Sequence, residues 1–205
     1  MNKTLEMKKI KDGILNLEES PLYAERIANK VFPVIGAGNH DAEVMFIGEA
    51  PGKNEAKTGQ PFCGASGRVL DELLKYINLD RKDIYITNIV KDRPTANRDP
   101  SPEEIKIYGP FLDRQINIIE PKIIATLGRY SAEYIMRKFN LDDKIEAISK
   151  MHGKIFDAQN NDKKIQSAPR VKIIPLLHPA VALYNSYTRD DLKKDFLEIK
   201  RYLKE

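Results

Sequence analysis

Four short apolar runs punctuate the chain: "EVMFIGEA" (43–50), "DIYITNIV" (83–90), "KIIATLG" (122–128) and "VKIIPLLH" (171–178). Their apolar residues are consecutive rather than alternating, the pattern of strands covered on both faces in a parallel sheet. Between them the period changes to that of a helix. "SGRVLDELLKYINL" (66–79) sets Val69, Leu70, Leu73, Leu74 and Ile77 on one stripe. "SPEEIKIYGPFLDRQINII" (101–119) opens with Ser101 as N-cap, Pro102 in the first turn and Glu104 three residues on, a capping box. Gly109-Pro110 inside that span predicts a kink or a split. Helical patterns recur over 129–139 and 189–204. Residues 1–40 read as helix plus irregular chain, and the polar stretch 157–170 as a mobile loop.

Alternating strand and helix predicts a three-layer α/β/α fold around a central, mostly parallel four-stranded sheet with right-handed crossovers. At 205 residues the chain suits a single domain, with residues 1–40 as an N-terminal extension of it. The composition, 41% hydrophobic and 31% charged, is that of a globular protein with enough apolar residues for a core. No apolar run approaches the roughly 18 residues of a membrane span, and no secretory signal is evident, so the cytoplasm is the expected location. A net charge of +4 is compatible with a polyanionic partner without demanding one. The lone cysteine, Cys63, excludes an intramolecular disulfide and any metal site built from several thiolates of one chain.

In open α/β sheets ligands gather at the carboxyl ends of the strands. Four polar segments fall there: "GEAPGKNEAKTGQPFCG", "NIVKDRPTANRDPSPEE", "GRYSA" and "HPAVALYNS". In the first, Gly48 and Gly52 permit close backbone approach and Pro51 stiffens the turn. Its spacing fits neither a dinucleotide fingerprint nor a P-loop. Phe62 either stacks on a planar base or anchors the core. Asn88 carries a donor and an acceptor side by side, suited to a base edge or to a cap. His178, at a strand's end before Pro179, either donates to an oxygen that gains charge or simply packs.

Together these segments carry ordered motifs. Gly48-Glu49-Ala50-Pro51-Gly52 with Glu55 is followed by Gly59-Gln60-Pro61-Phe62-Cys63-Gly64. Thr87-Asn88-Ile89-Val90 precedes Asn97-Arg98-Asp99-Pro100-Ser101-Pro102-Glu103-Glu104, and His178-Pro179-Ala180 closes the series. In this order and spacing the chain resembles the uracil-DNA glycosylase superfamily, most closely its family 4, from about residue 20 to residue 200.

The resemblance implies hydrolysis of the N-glycosidic bond of uracil in DNA, leaving an abasic site for base-excision repair. The base would be flipped into a pocket lined by Gly48, Ala50 and Gly52, with Phe62 stacking on it and Asn88 reading its edge. His178 would stabilise the departing uracil. Glu49 and Glu55 are the carboxylates available for water or sugar-cation stabilisation, Ala50 standing where the best-known glycosylase family has an aspartate. Lys53, Ser66, Lys91, Arg93 and Arg98 would contact phosphates, and Leu183, or else Val181, would wedge into the gap left by the base. No lysine is placed as a Schiff-base nucleophile, so strand cleavage is not expected. Uracil-containing DNA is the expected partner and a monomer the default state.

Two departures stand out. Family 4 members hold an iron–sulfur cluster through four cysteines, and the matching positions here read Leu17, Ser20, Asp92 and Tyr108. No cluster is therefore expected, and ordinary packing or hydrogen bonds would take its place. Ala56 stands where the family has an aspartate. A DNA-binding relative without catalysis, a glycosylase for another damaged base such as hypoxanthine or mismatched thymine, and an unrelated nucleotide-binding enzyme remain alternatives.

Overall fold

The computed structural model describes residues 2–159 and 170–203. Helices α1 (Lys3–Leu15) and α2 (Pro21–Ala28) lead into the two-residue strand β1 (Ala37–Gly38). Then come β2 (Val44–Gly48), α3 (Lys53–Thr58), α4 (Ala65–Tyr76), β3 (Tyr85–Asn88) and α5 (Pro102–Ile119). The chain continues through β4 (Ile123–Leu127), α6 (Arg129–Lys138), α7 (Ile148–Met151), β5 (Phe156–Gln159), β6 (Arg170–Leu176) and α8 (Ser186–Tyr202).

The sheet order is β1-β3-β2-β4-β6-β5. Its four central strands are parallel and are the four apolar runs of the sequence. Among the described residues the sheet is nonetheless six-stranded: β1 and β5 add antiparallel edges. Neither carries an apolar run. β1 is two residues long, and β5 alternates half-buried and exposed positions within the stretch read as a loop. Of that stretch, 157–159 and Arg170 belong to strands, and 160–169 lie outside the described residues.

Side chains of the central strands alternate between two helical layers, as the period of a strand requires. Met45, Ile47, Ile124 and Ile173 pack with α1, α5 and α6. Val44, Phe46, Ala125 and Ile174 pack with α4 and α8. The capping box of Ser101 and Glu104 is formed. α5 runs through Pro110 as one helix rather than splitting. Gly109 has a packing reason: a Cβ there would lie 2.4 Å from the Tyr134 hydroxyl of α6.

Candidate functional site

The parallel strands β2, β3 and β6 end at one edge, and the loops leaving them enclose a cavity of about 170 Å³. Its lining is Ala50, Gly52, Glu55, Phe62, Ser66, Asn88 and His178. The loop between α3 and α4 and the ends of β3 and β6 thus deliver Phe62, Asn88 and His178 to one place.

Phe62 is 6% exposed and adopts φ +50°, a left-handed conformation that costs a non-glycine residue energy and persists where the surroundings impose it. Arg81 imposes it here: its guanidinium donates to the Pro61 carbonyl at 2.9 Å and to that of Phe62. Gly67, in the first turn of α4, allows the approach, since a Cβ there would fall 1.7 Å from the Phe62 carbonyl oxygen. The ring then lies over Gly48, where a Cβ would strike Phe62 Cζ at 2.9 Å and Asn88 Oδ1 at 2.3 Å. Phe62 and His178 face each other with ring centroids 5.8 Å apart.

Asn88 is 2% exposed, and among the described residues its side-chain amide makes no hydrogen bond. A buried amide that faces an open cavity is free to pair with a ligand there. His178 caps the short 3-10 turn Pro179–Leu183 by accepting at Nδ1 from the Ala180 N–H at 3.2 Å. That bond puts the imidazole proton on Nε2. Burial lowers the His178 pKa, with Glu55 opposing, so the ring is neutral at pH 7 and still a donor through Nε2.

The two carboxylates differ. Glu55 lines the cavity, and its Oε1 accepts from the Gly64 N–H at 3.2 Å, folding the loop on itself. Glu49, outside the lining, precedes Ala50, and no hydrogen bond engages its carboxylate among the described residues. Burial and the neighbouring Asp99 push its pKa up to about 7, against the pull of Arg129. Asp99 is held by Arg129 at 3.0 Å and the Tyr130 hydroxyl at 2.5 Å.

The expected phosphate contacts divide. Lys53 is exposed and Arg93 half-buried, and both line a second cavity of about 320 Å³ with Lys57 and Ala56. Ala56 therefore departs from the family outside the base-sized cavity. Ser66 lines the first cavity instead. Arg98 is spent on Glu104, with bonds of 2.6 and 2.9 Å, and so secures the start of α5. Lys91 cannot touch a phosphate: it is 0% exposed, its ammonium enclosed by the protein. Leu183 is 43% exposed on the turn after His178, and the neighbouring Tyr184, which the sequence did not single out, is 89% exposed. Arg81 was also missed, because its partners lie about twenty residues back and leave no local pattern.

Leu17, Ser20, Asp92 and Tyr108 come together as well. Ser20 Oγ and the Tyr108 hydroxyl are 2.8 Å apart, and Tyr108 donates to Asp92 Oδ2 at 2.6 Å. Arg26 reaches both Asp92 oxygens, at 2.9 and 3.2 Å, and the carbonyls of Ile14 and Leu15. Burial raises the Asp92 pKa, while Tyr108 and Arg26 pull it back. The Tyr108 pKa is raised by burial and by Asp92, so its proton stays on as donor. Leu17 packs in the core beside them.

The family model for the uracil DNA glycosylase superfamily matches residues 35–204. The chain is 43% identical over 195 residues to a type-4 uracil-DNA glycosylase of Sulfurisphaera tokodaii, covering 95% of this chain and 83% of the relative. It is 46% identical to that of Saccharolobus solfataricus, over 83% of this chain and 76% of the relative. Against that of Thermotoga maritima the figures are 38%, 83% and 80%. The chain belongs to the uracil-DNA glycosylase superfamily.

Proposed function

We propose that this protein excises uracil from DNA by hydrolysing its N-glycosidic bond, with the cavity of Phe62, Asn88 and His178 receiving the flipped base. One observation carries the reading: a stacking ring, an unengaged amide and a neutral imidazole donor, from three separate segments of the chain, line a single small cavity. Its volume falls below the roughly 300–1,000 Å³ typical of drug-sized ligands, so it suits one planar ring.

Phe62 stacks on the uracil. Asn88 pairs with its O4 and N3–H edge, and cytosine, with an amino group at position 4, leaves a buried polar group unmatched at about 1–3 kcal/mol. Negative charge grows on uracil O2 as the bond to C1′ breaks, and His178 Nε2–H stabilises it by about 3–4 kcal/mol. Water adds at C1′. Glu49, unengaged and with its pKa near 7, takes the water proton. Glu55 holds the loop through Gly64. The cavity lining contains no lysine among the described residues, which supports simple hydrolysis without strand cleavage. Leu183 fills the gap left in the duplex, and Lys53 and Arg93 meet phosphates.

Positions 17, 20, 92 and 108 do not fit an iron–sulfur cluster. They offer no thiolate, and the Asp92 and Tyr108 oxygens are already committed to Arg26 and Ser20. The protein works without one, as a single domain and a monomer with the chromosome in the cytoplasm. No described helix is long and apolar enough to cross a membrane. The test is to incubate purified protein with an oligonucleotide bearing one uracil and then treat with alkali. Breakage at the lesion, lost in Asn88→Ala, is expected; no breakage with the wild type would end the reading.

A further inference from the structure

Lys91 is the buried charge that this chemistry leaves unused. It lies three residues beyond Asn88 with its side chain folded back beneath the end of β3. Its ammonium donates to the Asn88 carbonyl at 2.6 Å, to Thr87 Oγ1 at 2.7 Å and to Gln115 Oε1 at 2.6 Å. The Asn88 carbonyl and Gln115 Oε1 can only accept. The single Thr87 hydroxyl proton is given to the Ile35 carbonyl at 2.8 Å. The Gln115 amino group donates to Ile35 O at 2.9 Å and to the Tyr85 hydroxyl at 3.1 Å, which turns its oxygen toward Lys91. Three acceptors need three protons, so the lysine is held as an ammonium. Burial works against this and lowers its pKa well below the ordinary lysine value. Among the described residues no carboxylate pairs with it. A buried cation without a counter-ion is costly, and its hydrogen bonds show where its effect is exerted.

The site of that effect is the strand end that carries the base-reading amide. On the β2 side, the backbone beyond Asn88 is fixed by Ile89 N–H to Gly48 O and Val90 N–H to Glu49 O, both at 3.0 Å. On the other side, β1 pairs only with Tyr85 and Ile86 and stops two residues short of Asn88. Among the described residues no strand pairs with Asn88 on that side, and its carbonyl accepts from the Lys91 ammonium instead.

We propose that Lys91 is a positioning residue for Asn88, fixing the last peptide of β3 so that the amide enters the cavity in the orientation that reads uracil. This rests on the function proposed above. The test is a double-mutant cycle on the full chain, read by single-turnover excision of uracil from an oligonucleotide, with melting curves for each variant. Lys91→Met slows excision by roughly 30- to 100-fold, the effect of displacing a reacting geometry by about 1 Å. Combined with Asn88→Ala it adds nothing to the loss from Asn88→Ala alone. A purely structural role would instead multiply the two losses, and that result overturns the proposal, as does an excision rate in Lys91→Met within threefold of wild type. If Lys91→Met does not melt cooperatively, the same cycle on Thr87→Val decides, with a smaller loss that again vanishes on the Asn88→Ala background. A wild type that leaves uracil in place fails the underlying function as well, whereas an active wild type with multiplying losses fails the positioning role alone.

Discussion

The base cavity and the cradle around Asp92 share one loop: Asn88 enters the first and Asp92, four residues on, the second. They are built on opposite principles. In the cavity, the Asn88 amide and the Nε2 of His178 have no hydrogen-bond partner among the described residues and face open space. In the cradle, Ser20, Tyr108, Asp92 and Arg26 hydrogen-bond one another. A region whose groups answer only to each other can exchange one mutually satisfying set for another, here a polar chain where the resembling family has thiolates and iron. A region that answers to a ligand cannot. The lining accordingly keeps the motif residues Glu55, Phe62, Asn88 and His178, while the cradle keeps its place in the fold and none of the expected side chains.

Asp92→Ala tests that contrast most severely. It strands the Arg26 guanidinium, whose hydrogen bonds among the described residues are then to the Ile14 and Leu15 carbonyls, and it deprives Tyr108 of its acceptor. Removing one partner of a buried ion pair costs about 3–5 kcal/mol. For a chain of this size that lowers the melting temperature by roughly 10 °C. Excision by the folded fraction stays within about twofold of wild type. Calorimetry and single-turnover assays report the two quantities separately, and equal damage to both would mean that the regions are not independent.

His178→Ala is the mirror image. Excision falls by roughly 10²–10³-fold, the loss of one donor to developing charge. The melting temperature changes little, since among the described residues the ring's hydrogen bond is to the Ala180 N–H of a short turn. Tyr108→Phe is milder than either. It deletes the hydroxyl between Ser20 and Asp92 but leaves the ion pair, costing about 1–3 kcal/mol of stability with excision unchanged. A loss of excision without a loss of stability would sink the structural account of the cradle.

The four parallel strands were legible because each is a continuous apolar run, a signal that needs no tertiary context. So were the cavity residues, which sit where such strands end. The edge strands were not: β1 needs Gly38 against the Ile84 carbonyl, where a Cβ would lie 1.9 Å from the oxygen. Lys91 was misread because a lysine in a basic, proline-bearing loop looks like a surface residue. Its burial follows from Gln115 on α5, twenty-four residues away, which no local pattern announces. Arg26 left a faint trace, standing four residues after Leu22 on the buried face of α2. The convergence of Ser20, Asp92 and Tyr108 was legible only through the family motif, and the arginine that neutralises Asp92 lies outside that motif.

The smallest effect is the most specific to the cavity side. The Glu49 carboxyl titrates near 4.5 when free and near 7 in the fold, chiefly because burial disfavours its charge. Below pH 4.5 it is protonated in folded and unfolded chains alike and contributes nothing to pH dependence. As pH rises from 4.5 toward 7 the unfolded chain releases the proton first, so the unfolded state gains and stability falls, levelling above 7. Glu49→Gln cannot lose a proton there. The variant should melt at nearly the same temperature as wild type at pH 4.5 and slightly above it at pH 8, by a margin that solvent exposure of the group keeps small. Excision runs the other way: a base near pH 7 gives a wild-type rate that rises through neutrality, and the variant loses both the rise and most of the rate. The cavity would then be less stable at the pH where it works best, while the cradle supplies the stability that permits this. A wild type whose melting advantage or deficit against Glu49→Gln is the same at both pH values would remove the ionisation from this account and leave Glu49 as a packing residue.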